Sequence, residues 1–169
     1  MHVYEAIRTK YALRHFADQP LPDDAIRRIL NAGRRSQSSK NTQPWQFVVV
    51  RDREKLIQLS QCGAYAGHMA GAAMGVAIAS PDPATRWQIA FDLGQAAAYM
   101  QLAAWELGIG SCLAAIYEPD TARALLGIPA DWFFDAAISF GYPAPDLPPR
   151  RPREVGRRSF DEVVRWEKW

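Results

Sequence analysis

Apolar and polar positions repeat with two different periods along the chain. Between residues 25 and 32, apolar side chains such as Ile26, Ile29 and Leu30 recur every three or four positions, which indicates the buried face of an amphipathic helix. Residues 47–50 form instead a short, mostly β-branched apolar run, which is typical of a buried strand. The pattern predicts helices at residues 3–10, from 22 to about 33, 54–61, 86–107 and 119–126, and strands at residues 47–50, 72–80, 111–116 and 133–142.

The longest predicted helix, residues 86–107, is apolar on nearly all sides. A helix of this kind has to be buried around its whole circumference, which is difficult within one small protomer. We therefore expect one face to pack against a second copy of the chain, giving a homodimer; a central core helix in a monomer is the alternative. The positions concerned are the apolar Ile89, Phe91, Leu93, Tyr99, Met100, Leu102, Trp105 and Leu107 and the small Gly94, Ala96, Ala97 and Ala98.

The composition changes after Tyr142, where five prolines occur between residues 143 and 152. Because proline fixes φ and lacks an N–H, this stretch disfavours a regular helix and favours an extended arm over residues 143–169. Apolar side chains farther along the arm need a surface to pack on, and we expect the arm to embrace the partner protomer. These anchors are Phe160, Val163, Val164, Trp166 and Trp169.

Length and composition suit a single domain. The chain has 169 residues, 49% of them hydrophobic, and its helices and strands are too interleaved for an internal boundary, so we expect one domain over residues 1–169. The first ten residues carry Glu5, Arg8 and Lys10 instead of the apolar centre of a signal peptide, and we expect a cytoplasmic protein without membrane association. Cys62 and Cys112 lack metal-ligand spacing, so no metal site is predicted.

The formal net charge of +2 is close to neutral, but arginines gather near the C-terminus. Such a cluster is compatible with a solvated tail, an RNA-binding arm or a site for a phosphate monoester. Neither aromatic alternation nor an RNA-binding motif accompanies it, so we expect no nucleic-acid partner. The arginines are Arg150, Arg151, Arg153, Arg157 and Arg158.

A polar run precedes the strand predicted at residues 47–50. Asn41 and Gln43 carry amides that both donate and accept hydrogen bonds, and the hydroxyls of Ser38 and Ser39 do the same. This set of groups can bind the edge of a heterocycle. The alternative is a polar loop that caps a strand, since Ser and Asn are common in turns.

Residues 38–45 resemble the serine-asparagine-glutamine-proline-tryptophan signature of the nitroreductase family of flavin enzymes, although Ser36 and Gln37 stand where the family usually has Ala and Pro. The resemblance implies an α+β fold, with a central, mostly antiparallel sheet flanked by helices and a C-terminal arm exchanged in a homodimer. Four residues of the run are implied to bind FMN: Ser38, Ser39, Asn41 and Gln43.

Two further segments resemble family motifs that meet the flavin phosphate. Residues 10–16 are similar to an Arg-Arg-Ser-x-Arg motif with a following aromatic, but Lys10 keeps only the charge of the first arginine and Ala12 lacks the serine hydroxyl. Residues 157–164 look like the basic C-terminal segment of small family members. The cofactor-binding residues implied here are Lys10, Tyr11, Ala12, Arg14, Arg157 and Arg158.

A third motif is similar to the family's Gly-Leu-Gly-Ser-Cys segment and covers residues 108–115. A glycine pair before a strand is weak evidence alone, because it also suits a helix C-cap. Its order relative to the other motifs agrees with the family. The resemblance implies that Leu113, Ala114 and Ala115 form a wall beside the flavin ring.

The resemblance implies an enzyme in which FMN carries the chemistry. Reduced nicotinamide, NADH or NADPH, would pass hydride to N5 of FMN and leave, and an electron-poor acceptor such as a nitroaromatic, a quinone or an enone would then take the electrons. No catalytic side chain is required by this ping-pong scheme. Tyr65 and His68, in a glycine-rich loop, are candidates for the substrate side. A flavin-binding storage or sensor protein without turnover is the alternative.

Overall fold

The computed structural model describes residues 1–148 and 156–169, and it contains the predicted helices and strands. The helices are α1 (Val3–Thr9), α2 (Asp23–Arg34), α3 (Arg53–Gln61), α4 (Gln88–Glu106), α5 (Pro119–Leu126) and α6 (Phe160–Val163). The strands are β1 (Gln46–Val50), β2 (Met74–Ala79), β3 (Gly110–Ala115) and β4 (Ala136–Gly141). The predicted positions are confirmed, although β2 and β4 are shorter than expected.

The four strands form one sheet in the order β1-β2-β4-β3, with every neighbouring pair antiparallel. The register places Phe47 opposite Ile78, and Ile138 opposite both Val76 and Leu113. The strands β1 and β3 are therefore the two edges of the sheet. The predicted α+β class with an antiparallel sheet is confirmed.

The two faces of the sheet support separate cores, because side chains alternate along each strand. On one face, α2 and α4 pack with Val76 and Ile138 and bury Ile29 and Met100 completely. The opposite face carries a second cluster in which α3 and α5 pack against smaller strand residues such as Ala137. The sheet is thus enclosed between two layers of helices.

Helix α4 is only partly buried within the protomer. Ile89, Met100 and Ala104 face the core, whereas Phe91 and Tyr99 are exposed to solvent. The monomeric alternative, with α4 buried on all sides, therefore does not describe this structure. No helix of the described residues is long and apolar enough to cross a membrane.

The described part of the C-terminal arm departs from the prediction in one respect. Residues 160–163 form the short helix α6, whereas an arm without regular helix was expected. A capping box explains the difference: Glu162 accepts hydrogen bonds from the Ser159 N–H at 2.7 Å and from its hydroxyl at 2.8 Å. The prolines lie upstream of this point and do not oppose it. Residues 149–155, which include Arg150, Arg151 and Arg153, lie outside the described residues.

Candidate flavin site

The polar run becomes a segment with unusual backbone geometry, residues 38–43, between α2 and β1. Lys40, Asn41 and Gln43 have positive φ values of 54°, 55° and 48°. Asparagine enters this left-handed region readily, but lysine and glutamine do so at an energetic cost. The rest of the fold must therefore hold the segment in place.

A buried carboxylate on α4 provides much of this support. Asp92 is only 3% exposed, and each of its oxygens lies 3.1 Å from the Ser39 nitrogen, whose N–H donates to them. The hydroxyl of Ser38 accepts from the Gln43 N–H at 2.9 Å. The side chains of Asn41 and Gln43 remain exposed, with the Gln43 amide donating to Asn41 at 3.3 Å. The segment is thus preformed, with its amides facing outward.

The second predicted segment, residues 10–14, lies along the edge strand β3. The N–H of Leu13 donates to the Ser111 carbonyl at 3.0 Å, and Ala12 forms an isolated parallel bridge to Ser111. A Cβ at Gly110 would lie 2.1 Å from the Leu13 side chain, so this close approach requires glycine. Lys10 and Arg14 are consequently carried to the edge that also presents Leu113, which is 52% exposed.

The charges of this second segment are unbalanced. Burial lowers the pKa of Lys10, and an interaction with Cys112 offsets part of that effect. Within residues 1–148 and 156–169, neither Lys10 nor Arg14 forms an ion pair with a carboxylate. Burial raises the pKa of the Cys112 thiol, which therefore remains neutral at neutral pH. Two cations without an acidic partner suit a phosphate monoester.

The loop that precedes β2 separates the two predicted substrate-side residues. Tyr65 is exposed, and its neighbour Gly63 packs so close to the end of β3 that a Cβ there would lie 2.1 Å from the Ala115 carbonyl oxygen. His68 is instead buried, with 9% exposure, and its Nδ1 lies 2.8 Å from the Ser139 hydroxyl. The structure therefore places His68 in the interior, in the short turn Gly67–Met69, and its role on the substrate side stays a prediction.

The structure does not bring all predicted site residues together within one protomer. Residues 38–43 lead into β1, whereas residues 10–14 lie beside β3, which is itself three strand spacings, or about 14 Å, from β1 across the sheet. Contacts made by helix α4 give a second measure of the distance between the two segments. Asp92 contacts the first segment and Trp105 donates to Thr9, just before the second; these α4 residues are thirteen positions, or about 20 Å, apart.

The two C-terminal arginines of the site prediction lie in the described part of the arm. Arg158 donates to the Glu162 carbonyl at 2.7 Å, and Arg157 is exposed. Their contact with a phosphate remains a prediction.

Sequence reasoning missed Asp92. Its signal was available, because Asp92 is the only charged residue between Gln88 and Trp105 in an otherwise apolar helix. An isolated carboxylate in such a helix needs a hydrogen-bonding partner when it is buried. The identity of that partner, Ser39, depends on tertiary packing.

The arrangement of segments agrees with a sequence comparison. The model of the Nitroreductase family matches residues 7–62 and 58–142, which include residues 10–14, 38–43 and 113–115. The chain belongs to the nitroreductase family.

Individual relatives match over nearly the whole chain. A protein of Archaeoglobus fulgidus, provisionally named an NADH dehydrogenase/NAD(P)H nitroreductase, is 29% identical over 170 residues and covers 96% of each chain. The solved structure of an FMN-dependent nitroreductase from Clostridium difficile R20291 has a TM-score of 0.86 and 27% identity, covering 97% of this chain and 98% of its own. A provisionally named nitroreductase from Desulfovibrio desulfuricans, solved in complex with FMN, has a TM-score of 0.81 and 28% identity, covering 100% and 98%.

Proposed function

We propose that this protein is an FMN-dependent oxidoreductase that transfers electrons from NADH or NADPH to an electron-poor small molecule. The observation that carries the proposal is that Lys10 and Arg14, beside the edge strand β3, form no ion pair with a carboxylate of the described residues. Family membership supports it, as does the FMN bound to the Desulfovibrio desulfuricans relative.

Lys10 and Arg14 would hold the phosphate of FMN. The guanidinium can donate two parallel hydrogen bonds, and the partly desolvated ammonium of Lys10 would gain an anion in place of water. Ala12 contributes no hydroxyl here. We propose that Arg157 and Arg158 supply further donors, which would compensate for that loss.

The edge strand β3 would provide the wall beside the flavin ring. Leu113 and Ala115 are exposed along it, whereas the Ala114 side chain is buried on the opposite face. We therefore propose that Ala114 contributes through its backbone only. Tyr65 lies in the loop that packs against the end of this strand, and we place it at the rim where the second substrate enters.

Ser38, Ser39, Asn41 and Gln43 are too far from this wall to complete the same site within one protomer. We propose a homodimer in which the segment 38–43 of one protomer meets residues 10–14 and 113–115 of the other. Apolar side chains exposed on the protomer support an interface between copies. They are Val3, Tyr4 and Ile7 on α1, Phe91 and Tyr99 on α4, and Phe160, Val163, Trp166 and Trp169 on the arm.

The arm would complete the dimer by crossing to its partner. A groove of about 880 Å³ lies between α2 and β1 and is lined by Arg27, Arg34 and Phe47 among others. The strand β1, which lines this groove, is an edge of the sheet. The arginines of the groove complement the charge of the acidic residues Asp161 and Glu162 of the arm. We place the partner's arm in this groove.

When bound, FMN would supply hydride transfer, accepting electrons from the reduced nicotinamide and passing them on after the nicotinamide leaves. The protein's residues would bind the phosphate, support the ring and orient its edge. No acid–base pair is needed beside it. We propose nitroaromatics, quinones or enones as acceptors, because the connection from β2 to α4 contains only the turn Pro83–Thr85 and no long insertion that could roof the ring.

The proposal is tested by reducing the purified protein without oxygen. We expect a yellow protein that bleaches on addition of NADH or NADPH and recovers its colour with a quinone or a nitroaromatic after the nicotinamide has been removed. Recovery after that removal would establish the ping-pong order. A yellow protein that neither donor bleaches would favour a storage or sensor role, and a colourless protein that does not bind FMN would contradict the proposal.

A further inference from the structure

The buried imidazole of His68 lies beside the proposed phosphate site without belonging to it. Its ring is nine-tenths buried, between β3 and β4 and the turn Gly67–Met69. The other partners of this turn are apolar, since α3 meets it through a core cluster that includes Leu56 and Met69. A titratable ring that is buried among apolar side chains needs hydrogen-bond partners for its two nitrogens.

The hydrogen-bond network assigns the proton on His68. The Ser139 hydroxyl donates its single hydrogen to the Cys112 carbonyl at 3.3 Å, so it accepts from His68 Nδ1 at 2.8 Å. Nε2 then carries no proton and presents its lone pair. It has no hydrogen-bond partner within the described residues. An interaction with the Leu113 backbone offsets part of the lowering of the His68 pKa.

The charges around His68 explain why the ring is neutral without a ligand. Desolvation lowers the pKa of His68, and the positive charge of Arg14 lowers it further. The Ser139 hydroxyl beside the ring and the thiol of Cys112, whose carbonyl Ser139 contacts, are uncharged. Lys10 adds a second positive charge near Cys112. No carboxylate of the described residues pairs with either cation.

We propose that His68 takes up a proton when the phosphate of FMN binds to Lys10 and Arg14, so that flavin binding is coupled to protonation of this buried ring. The inference rests on the proposed function. A phosphate dianion would cancel the field of the two cations, and the protonated ring would interact more strongly with the Leu113 backbone on the flavin wall. The ring would then fasten the wall to the core only when the cofactor is present.

The sign of the coupling follows from linkage. A group that gains affinity for protons on binding makes the ligand bind more tightly as pH falls. We expect FMN to bind at least about threefold more tightly at pH 6.5 than at pH 8.0. The second ionisation of the FMN phosphate, near pH 6, acts in the opposite direction and cannot produce this increase.

The test is a fluorescence titration of the apoprotein with FMN and with riboflavin at both pH values. Riboflavin lacks the phosphate and should show no increase at pH 6.5. H68Q should lose the increase for FMN, whereas H2Q, which changes an exposed histidine at the N-terminus, should retain it. Equal FMN affinity at both pH values in the wild type would overturn the inference and leave the proposed function intact. Absence of FMN binding at either pH would overturn both.

A second measurement does not depend on H68Q folding. The ring resonances of the three histidines can be followed by NMR in the wild-type chain and assigned by elimination with H2Q and H15Q. We expect the His68 signal to titrate at a higher pH in the FMN complex than in the apoprotein. An unchanged His68 titration on FMN binding would overturn the inference even if the affinity varied with pH.

Discussion

The segments 38–43 and 10–14 differ in whether their polar groups find partners within the protomer. The first has its strained backbone held by the buried carboxylate of Asp92, which accepts from Ser39 within the same protomer. The second carries Lys10 and Arg14 to an edge strand and leaves both without a carboxylate among the described residues. One half of the proposed site is therefore complete before any ligand arrives, and the other half lacks an anion.

This difference separates two kinds of contribution to binding. A preformed segment orients a ligand because its own ordering was completed during folding. Unpaired cations reduce the stability of the apoprotein and gain most when an anion binds. Loss of the support for residues 38–43 should accordingly lower both the stability of the protein and its flavin affinity. Loss of Lys10 and Arg14 should lower FMN affinity without lowering stability.

The largest effect is expected from removing both cations. In K10M/R14Q the phosphate loses two charged donors, and we expect FMN affinity to fall by about a hundredfold or more, at roughly 1.5–3 kcal/mol for each lost bond. Riboflavin affinity and the stability of the apoprotein should not fall. R8Q is the matched control, because Arg8 is already paired with Glu5 at 3.0 Å on α1. An equal loss for riboflavin would contradict a phosphate role.

Removing the anchor of the preformed segment should change both properties. In D92A the Ser39 N–H loses its acceptor, and we expect the free energy of unfolding to fall by about 1–3 kcal/mol. FMN and riboflavin affinity should both fall, by about tenfold, since the segment would no longer be held. Urea unfolding and flavin titration measure the two effects.

D52A is the control for this prediction. Asp52 also accepts from a backbone N–H, that of Lys55 at 2.9 Å, but it caps α3 away from the site. It should lower stability by about 0.5–2 kcal/mol and leave flavin affinity unchanged. A D92A protein with wild-type flavin affinity would show that residues 38–43 do not bind the cofactor.

The pH dependence of the apoprotein's free energy of unfolding should reveal that His68 is buried as a neutral ring. Because desolvation and Arg14 hold its pKa below 6.5 in the folded chain, the unfolded chain binds more protons just below that pH. Stability should therefore fall as pH drops below about 6.5, by at most about 1.4 kcal/mol per pH unit. Urea unfolding should show a weaker dependence in H68Q and the full dependence in H2Q. Identical slopes in wild type and H68Q would contradict the buried neutral ring.

The smallest effect concerns the hydroxyl missing at position 12. In A12S a new donor would stand beside Lys10 and Arg14, and we expect FMN affinity to rise about two- to tenfold, which corresponds to one hydrogen bond. Riboflavin affinity should stay the same. A decrease in FMN affinity would place the Ala12 side chain away from the phosphate.

The sequence predicts elements better than contacts between them. Hydrophobic periods locate helices α1 to α5 and the four strands of the sheet. The polar run at residues 38–45 predicts the flavin segment because its chemistry is local. Asp92 and Ser39 are 53 positions apart, so their contact depends on packing that the sequence pattern does not contain. The glycine-rich sequence around His68 made it a substrate-side candidate, but its ring is buried against Ser139. Prolines indicated an irregular arm, and the Ser159–Glu162 capping box overrode them locally.

The most direct test of the account is a mixed dimer, prepared with two affinity tags, of a K10M/R14Q protomer and a D92A protomer. If each site combines residues 10–14 of one protomer with residues 38–43 of the other, one site is wholly wild type and the other carries every substitution. We predict that FMN titration finds half of the sites at wild-type affinity. If no site binds at wild-type affinity, both segments act within the same protomer and the composite site is wrong.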